Sequence, residues 1–207
     1  MVKKAPARTR KPAEVRRAEI IDEAIGIIGE FGYYGFTVQA LADRCLMTNA
    51  GLLHYFGTKD ALLLGVLDEI ERRAEEYMGP HVAVLEDRAT GQGEGIEAVA
   101  DAIVLMADWA CEHPEQTRFT SILQAEALLA SHPAHDWFAQ RDIETFELLI
   151  RLLTPVVSVP EITARHIVAV MRGLIQQWLG DRQAFDLAAE CRTATRLLLS
   201  AEAGLSN

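Results

Sequence analysis

The apolar residues of this 207-residue chain recur at helical spacing along most of its length. The clearest stripe lies between Glu14 and Phe31, where apolar side chains at i, i+1, i+4, i+7, i+8 and i+11 share one helix face. Gly32 is expected to end this helix, and Gly35 to allow a turn before Thr37. The stripe consists of Ile20, Ile21, Ala24, Ile27, Ile28 and Phe31.

The same spacing predicts eight further helices, and no segment alternates between apolar and polar residues as a strand would. The helix that begins at Thr58 should stop near Met78, because Gly79 and Pro80 follow it. Residues 81–95 are expected to form a loop, or a weak helix and then a loop. The predicted fold is therefore all-α, with about nine helices. The other predicted helices span 38–45, 49–56, 96–110, 115–131, 134–153, 161–179 and 187–203.

Residues 37–59 have the layout of a helix–turn–helix, because only three residues separate two short helical segments. Thr48 and Thr58 stand where N-cap residues would stand. One face of the second helix is apolar, whereas the other carries small residues followed by an imidazole and a phenol. That face suits insertion end-first into a DNA major groove, although the same geometry also occurs in proteins that bind no DNA. The apolar face holds Leu52, Leu53 and Phe56, and the other Ala50, Gly51, His54 and Tyr55.

The charge is divided unevenly along the chain, whose net charge is −10. Residues 1–60 carry nine Lys and Arg against seven Asp and Glu, while residues 61–207 carry eleven against twenty-three. Phosphate contacts need local positive charge, so DNA is expected at the N-terminal end. Residues 1–13 read as a basic flexible arm that adds contacts to DNA, or else as a solvated tail without a role.

The run from residue 20 to residue 67 is similar to the N-terminal domain of TetR-type (tetracycline-repressor-like) transcriptional regulators. The family usually has a glycine where this chain has Leu46, and a tyrosine where it has Leu53. A leucine in a left-handed turn costs about 1 kcal/mol, so a differently shaped turn is one expectation here. The matching pieces are IIDEA at 20–24, FGY at 31–33, TV at 37–38, LA at 41–42, Leu52, YF at 55–56, TKD at 58–60 and LL at 62–63.

The resemblance implies a division into the arm, a helix–turn–helix DNA-binding domain at 14–60, and a ligand-binding and dimerisation domain at 61–207. It also implies that Tyr55 and Lys59 meet the DNA backbone, and that Gln39 and Asn49 face base edges together with small residues of the second helix. The full set of expected DNA contacts is Thr37, Gln39, Thr48, Asn49, Ala50, Gly51, His54, Tyr55, Thr58 and Lys59.

The last two predicted helices are apolar on more than one face, so one small core cannot bury all of the apolar surface of each helix. In TetR-type proteins this pair packs against the same two helices of a second subunit. The homodimer then presents two DNA-binding domains to a palindromic operator. Plain burial within one subunit is the alternative. The expected dimer residues are Ile167, Leu174, Ile175, Cys191, Ala194 and Leu198.

The middle helices are rich in large apolar and aromatic residues, and the resemblance implies a small-molecule cavity among them. Such residues are also common in plain core, so each position has both interpretations. Four polar residues, Gln124, Glu126, Arg172 and Gln176, could orient a ligand or satisfy one another. The expected ligand-binding residues are Met106, Trp109, Phe119, Leu123, Trp137, Phe138, Phe146, Met171, Arg172, Gln176 and Trp178.

Other functional classes find little support in the sequence. No apolar run approaches the roughly 18 residues of a membrane span, and no signal peptide is expected. Three scattered cysteines favour reduced thiols in the cytoplasm. His132 and His135 lack the neighbouring ligands of a metal site, and no catalytic or cofactor motif occurs, so we expect neither metal nor cofactor.

The sequence thus predicts a homodimeric repressor, not an enzyme, which a small apolar effector releases from a palindromic double-stranded DNA operator. The alternative is an all-helical dimeric enzyme or scaffold that acts on an apolar small molecule without binding DNA.

Overall fold

The computed structural model describes residues 12–91 and 93–205, and this part of the chain is helical without strands. The predicted all-α fold of about nine helices is therefore confirmed. Nearly all of the predicted basic arm, residues 1–11, lies outside the described residues. The helices are α1 Ala13–Gly35, α2 Val38–Arg44, α3 Asn49–Phe56, α4 Lys59–Thr90, α5 Gly95–Glu112, α6 Pro114–Glu126, α7 His135–Leu153, α8 Pro160–Gly180 and α9 Leu187–Leu205.

The break expected at Gly32 is present as a kink within α1. Gly32 has φ +70° and ψ 175°, a conformation that residues with a side chain rarely adopt. The chain then continues to Gly35, and Phe36 donates its backbone N–H to the Gly32 carbonyl oxygen at 3.2 Å. The kink turns the chain towards α2.

The prediction that Gly79 and Pro80 stop the fourth helix is wrong, because α4 continues through Pro80 to Thr90. A proline inside a helix loses one backbone hydrogen bond and costs roughly 3 kcal/mol. The segment beyond it buries Leu85 and Ala89 in the C-terminal core, and this burial offsets the cost. The predicted loop at 81–95 is accordingly reduced to the few residues between α4 and α5.

Helix α6 ends at Glu126, five residues earlier than predicted. The turns that follow bury Ala127, His132 and Ala134 and lead directly into α7.

Two hydrophobic cores organise the molecule. The first joins α1, α2 and α3 to the first third of α4 and to α6, whose Phe119 and Leu123 are completely buried in it. The second is built from the end of α4 with α5, α7, α8 and α9. Helices α4 and α6 thus connect the N-terminal helices to the larger helical body. No helix in the described residues is long and apolar enough to cross a membrane.

Candidate DNA-reading surface and effector cavity

Three threonines fix the starts of the helices that form the candidate DNA-reading surface. Thr37, Thr48 and Thr58 each accept a hydrogen bond at their side-chain oxygen from the backbone N–H three residues later, at 3.1, 3.1 and 3.0 Å. The predicted N-caps at Thr48 and Thr58 are confirmed. Each cap satisfies a backbone donor that the first helical turn leaves unpaired, and so sets where the helix begins.

The turn between α2 and α3 is left-handed at Leu46, whose φ is +54°. Leu46 adopts this conformation at a cost of roughly 1 kcal/mol, and its side chain is 72% exposed. Met47 donates its backbone N–H to the Ala42 carbonyl oxygen at 2.8 Å, which closes the turn. The expectation of a differently shaped turn is therefore wrong, because Leu46 accepts the strain.

Helix α3 divides into the two faces that the sequence predicts, with one refinement. Leu52 is fully buried, and Leu53 and Phe56 pack against the N-terminal core. On the other face Ala50 and His54 are exposed and Gly51 is half-buried, but Tyr55 also packs partly against that core. The Oδ1 atom of Asn49 is buried and without a hydrogen-bond partner among the described residues. The first turn of α3 thus carries the smallest side chains of this face, at Ala50 and Gly51.

Gln39 lies on the exposed side of α2, beside the start of the reading surface. Its Nε2 donates to Asp43 Oδ1 at 2.7 Å, one helical turn further on. This bond is solvent-exposed, so exchanging it for a bond to a base edge costs little.

Lys59 opens α4, but its ammonium group points towards the interior. Nζ donates to the Phe36 carbonyl oxygen at 2.9 Å and lies 4.3 and 4.4 Å from the ring centroids of Tyr33 and Phe36. Burial lowers the pKa of Lys59, although Asp60 and Glu126 oppose that shift. An ammonium group has three donors, so two remain after the bond to Phe36.

A cavity of about 210 Å³ lies among α4, α5, α6, α7 and α8. Seven of the eleven expected ligand-binding residues line it. The other four do not: Phe119 and Leu123 fill the N-terminal core, while Trp178 and Phe146 belong to the C-terminal core. The sequence periodicity correctly indicates that these four residues lie on apolar helix faces. It cannot distinguish a face that packs against a neighbouring helix from one that lines a cavity. The seven that line it are Met106, Trp109, Trp137, Phe138, Met171, Arg172 and Gln176.

The cavity has a polar wall, of which the sequence indicated only Gln124 as a residue that could orient a ligand. One face of α6 supplies it, with Gln116, Thr117, Thr120, Ser121 and Gln124 at helical spacing. That spacing of polar residues within a partly buried helix is the signal that could have identified them.

Two ion pairs lie at the edge of the same cavity. Arg172 pairs with Asp142, which also accepts from Gln124 Nε2 at 3.3 Å. Arg141 pairs with Glu71, and burial lowers the pKa of Arg141. The cavity therefore combines an apolar lining with hydroxyl, amide and charged groups.

Glu126 and His132 lie outside this cavity and have structural partners instead. Glu126 Oε2 accepts the backbone N–H of Tyr33 at 2.8 Å and lies 3.7 Å from His132 Nε2. His135 Nδ1 bonds to the Ala127 carbonyl oxygen at 2.8 Å. Within the described ranges, no group of three or more His, Cys, Asp or Glu side chains could hold a metal ion.

The expected dimer residues are distributed differently in the structure. Ile167 and Cys191 are each only 2% exposed and lie in the C-terminal core, so their assignment to a dimer face is wrong. Leu174, Ile175, Ala194 and Leu198 are half-buried. Among the side chains that the structure describes, the large apolar residues that α8 and α9 leave exposed are Ile162, Val170 and Leu197.

Comparison with known proteins agrees with this architecture. Residues 20–66 match the family model of bacterial regulatory proteins, tetR family. The HTH-type transcriptional regulator BetI of Burkholderia thailandensis is 34% identical over 74 residues, which is 36% of this chain. The match spans 38% of the length of that protein.

Solved structures extend the likeness to nearly the whole chain. A TetR-like transcriptional regulator from Rhodococcus sp. RHA1 superposes with a TM-score of 0.75 at 19% identity, covering 94% of this chain and all of its own. AibR, solved in complex with isovaleryl coenzyme A and operator DNA, superposes with a TM-score of 0.70 at 18% identity over 89% of this chain and 98% of its own. Residues 20–66 thus match the N-terminal domain of the tetR family, and the described helices have the fold of solved TetR-type structures.

Proposed function

We propose that this chain is a homodimeric transcriptional regulator that binds double-stranded DNA and responds to a small molecule. The observation that carries the proposal is the first turn of α3. Thr48 caps this turn, and the exposed Ala50 and the half-buried Gly51 leave room for the backbone to approach base edges. The proposed domains remain an arm at 1–13, a DNA-binding domain at 14–60 and a ligand-binding and dimerisation domain at 61–207.

The proposed DNA contacts fall into two classes. Gln39, Asn49, Ala50 and Gly51 would read base edges, since Gln and Asn amides can pair bidentately with adenine. The remaining six are proposed to contact phosphate: four lie at helix starts, where partial positive charge favours phosphate, and two lie in the last turn of α3 and would act through their side-chain hydrogen-bond donors. They are Thr37, Thr48, His54, Tyr55, Thr58 and Lys59.

Dimerisation follows from what the isolated subunit leaves uncovered. Ile162, Val170 and Leu197 are exposed on α8 and α9, the two helices whose inner faces already fill the C-terminal core. Burying these side chains against a second copy would remove apolar surface from water and would pair two reading surfaces about a two-fold axis. Two such surfaces fit the two half-sites of a palindromic operator.

The cavity among α4 to α8 is the proposed effector site. AibR binds isovaleryl coenzyme A as well as operator DNA, and its fold resembles this one. A ligand that binds more tightly to one arrangement of the paired reading surfaces than to the other would change operator affinity by that same ratio. For a repressor, the ligand favours the arrangement that leaves DNA. The proposed location is the cytoplasm, because the proposed DNA partner lies there.

Selection of DNA from a random double-stranded library by the purified protein tests the proposal. We expect enrichment of a palindrome, with nanomolar affinity for the enriched sequence and much weaker binding to a scrambled one. A Gln39→Ala, Asn49→Ala double variant that remains folded should enrich no such sequence. Failure of the wild-type protein to enrich any sequence would overturn the proposed function.

A further inference from the structure

A second cavity, of about 300 Å³, lies next to the first among α4, α5 and α7. Its walls are mainly aliphatic and include Val82, Leu105, Leu148 and Leu152. Of the residues expected from the sequence to bind a ligand, only Met106 lines it. Its composition therefore suits a hydrocarbon chain better than a polar group.

The two cavities share a wall. Glu71, Met106, Arg141 and Thr145 line both of them, and the Glu71–Arg141 ion pair is the polar part of this boundary. Met106 is the apolar part, and a methionine side chain adapts readily to a neighbouring group because it has three flexible torsions. Displacement of the Met106 side chain would therefore open a passage between the two cavities for a slender ligand.

The hydroxyls of the first cavity present hydrogen-bond acceptors. Ser121 donates its own hydroxyl hydrogen to the Thr117 carbonyl oxygen at 2.8 Å, and Thr145 donates to the Arg141 carbonyl oxygen at 2.9 Å. Thr120 donates to the Gln116 carbonyl oxygen. A hydroxyl that has donated its hydrogen retains only lone pairs for a ligand.

A further acceptor on the same wall lacks a partner. The Oε1 atom of Gln116 is buried and makes no hydrogen bond within the described part of the chain. Leaving a buried polar atom unpaired is costly, so a rotation of the Gln116 side chain that brings Oε1 to a donor in the cavity would remove that cost.

The charges around the two cavities disfavour an anionic head group. The two cavities are lined by four carboxylates and by three guanidinium groups. One of these guanidinium groups, that of Arg151, pairs at 3.1 Å with Glu86, which lines neither cavity. An added carboxylate or phosphate would face this excess of negative charge. The carboxylates are Glu71, Glu75, Asp142 and Glu144.

We propose that the two cavities form one site for an amphipathic ligand whose head group donates hydrogen bonds to the α6 wall and whose alkyl chain fills the second cavity. The proposal rests on the proposed effector role of the first cavity. The head is an alcohol or a protonated amine, since both are donors and neither is an anion.

The test measures binding of n-alkyl alcohols, amines and carboxylates of six to twelve carbons by calorimetry, below the concentration at which they form micelles. Alcohols or amines should bind and raise the melting temperature, and carboxylates of equal length should bind at least tenfold more weakly. Affinity should rise about fourfold for each added methylene while the tail enters the second cavity. Both head groups donate to the α6 wall, so tighter binding of the amine than of the alcohol would measure what the neighbouring carboxylates add to that contact.

Two variants with matched controls locate the two ends of the ligand. Leu105→Phe narrows the second cavity and should abolish the gain in affinity with chain length, while Val84→Phe, at an exposed position on α4, should leave it unchanged. Thr120→Val removes an acceptor from the first cavity and should weaken alcohols and amines by up to about tenfold. Thr193→Val removes an exposed hydroxyl with the same type of backbone bond on α9 and should have no effect.

Three outcomes overturn the proposal. Carboxylates that bind as tightly as alcohols and amines would exclude a donor head. If affinity rises equally with chain length in the wild-type and Leu105→Phe proteins, the second cavity does not hold the alkyl chain. No binding of any alcohol or amine to the folded protein would exclude both the head-group site on α6 and the alkyl-chain site in the second cavity. Selection of a palindromic DNA sequence would be unaffected by all three, so this failure is distinguishable from failure of the proposed function.

Discussion

Glu126, the last residue of α6, accepts a hydrogen bond at Oε2 from the backbone N–H of Tyr33 at 2.8 Å. Tyr33 follows the kink at Gly32, and a Cβ atom added to Gly32 would lie 2.3 Å from Glu126 Oε1. Glycine is thus required at residue 32 both for its φ of +70° and for the approach of this carboxylate. The contact joins α6, which lines the proposed effector cavity, to α1, which supports the candidate DNA-reading surface.

Tyr33 continues this connection to the start of α4. Its hydroxyl bonds to Asp60, and the Lys59 ammonium group lies over its ring. A movement of α6 therefore has a direct path, through three side chains, to the junction of the reading helices with α4.

Replacing Glu126 tests how much this contact contributes to stability. Glu126→Ala leaves the Tyr33 N–H without its charged acceptor, and we expect the free energy of unfolding to fall by about 1.5–3 kcal/mol. Glu126→Gln should lose less, because its amide oxygen can still accept. Urea denaturation followed by circular dichroism measures both, with the exposed Glu161→Ala on α8 as control. Equal stability of all three variants would show that the contact contributes nothing.

His132 is expected to make folding sensitive to acid. Its Nδ1 accepts the Ala134 N–H at 3.1 Å, and burial lowers the pKa of His132 below its ordinary 6.5, although Glu126 and Asp60 oppose the shift. Below pH 6.5 the unfolded chain takes up a proton at this residue more readily than the folded protein, so stability is lost as the pH falls.

Denaturation at pH 7.5 and pH 5.5 measures this effect. The wild type should lose more stability between the two values than His132→Asn, in which the amide oxygen can replace the Nδ1 acceptor. An identical loss in both proteins would assign the acid sensitivity to other groups.

Local signals in the sequence were sufficient to predict the helix–turn–helix. The caps at Thr48 and Thr58 and the break at Gly32 depend on neighbouring residues alone, and all three are present. Pro80 was misjudged because the burial of Leu85, which compensates for it, depends on helices far along the chain. The bond from Glu126 to Tyr33 crosses 93 residues, and no local pattern indicates it.

Local sequence patterns also fail to show which residues of an apolar helix face belong to a candidate site. Phe119 and Trp109 are both large apolar residues at helical spacing, but one lies in the core and the other in the cavity wall. On α8, Ile167 faces the interior while Val170, three residues later, is exposed. A helix that is apolar on several faces gives no sign in its sequence of which face its own subunit covers.

Lys59→Ala should weaken DNA binding uniformly. Losing one phosphate contact lowers affinity for all sequences about equally and reduces the slope of log affinity against log salt by about one. Because Lys59 also bonds to the Phe36 carbonyl oxygen, the melting temperature must be measured on the same samples. Arg151→Ala, on α7, is the control and should keep the wild-type slope. A changed preference between operators at an unchanged slope would remove Lys59 from the phosphate contacts.

Gln39→Ala should change which sequences are bound, not how strongly salt affects binding. A bidentate contact to adenine discriminates by roughly 1–3 kcal/mol, so preference should relax at one symmetric pair of base positions. Folding should be unaffected, because Asp43 is the only side-chain hydrogen-bond partner of Gln39 among the described residues and that bond is exposed to solvent. Sequencing of selected DNA gives the preference directly, and an unaltered binding motif would exclude Gln39 from base reading.

The assembly prediction concerns apolar side chains that the subunit itself leaves uncovered. Val170 is 37% exposed and Leu197 is 67% exposed, so a glutamate at either position is solvated in a folded monomer. In a dimer that buries these helices, the same charge must be desolvated once in each subunit, and no partner compensates for it. Leu174→Glu or Leu198→Glu would be less informative, because both side chains also pack against the C-terminal core.

Sedimentation equilibrium of the Val170→Glu, Leu197→Glu protein should therefore give a folded monomer, with wild-type helical content by circular dichroism. Operator affinity should fall steeply, because a single reading surface contacts only one half-site. Val84→Glu, at an exposed apolar position on α4, carries the same chemical change outside α8 and α9 and should remain dimeric. A dimer that binds its operator normally after both substitutions would place the interface on another face of the molecule.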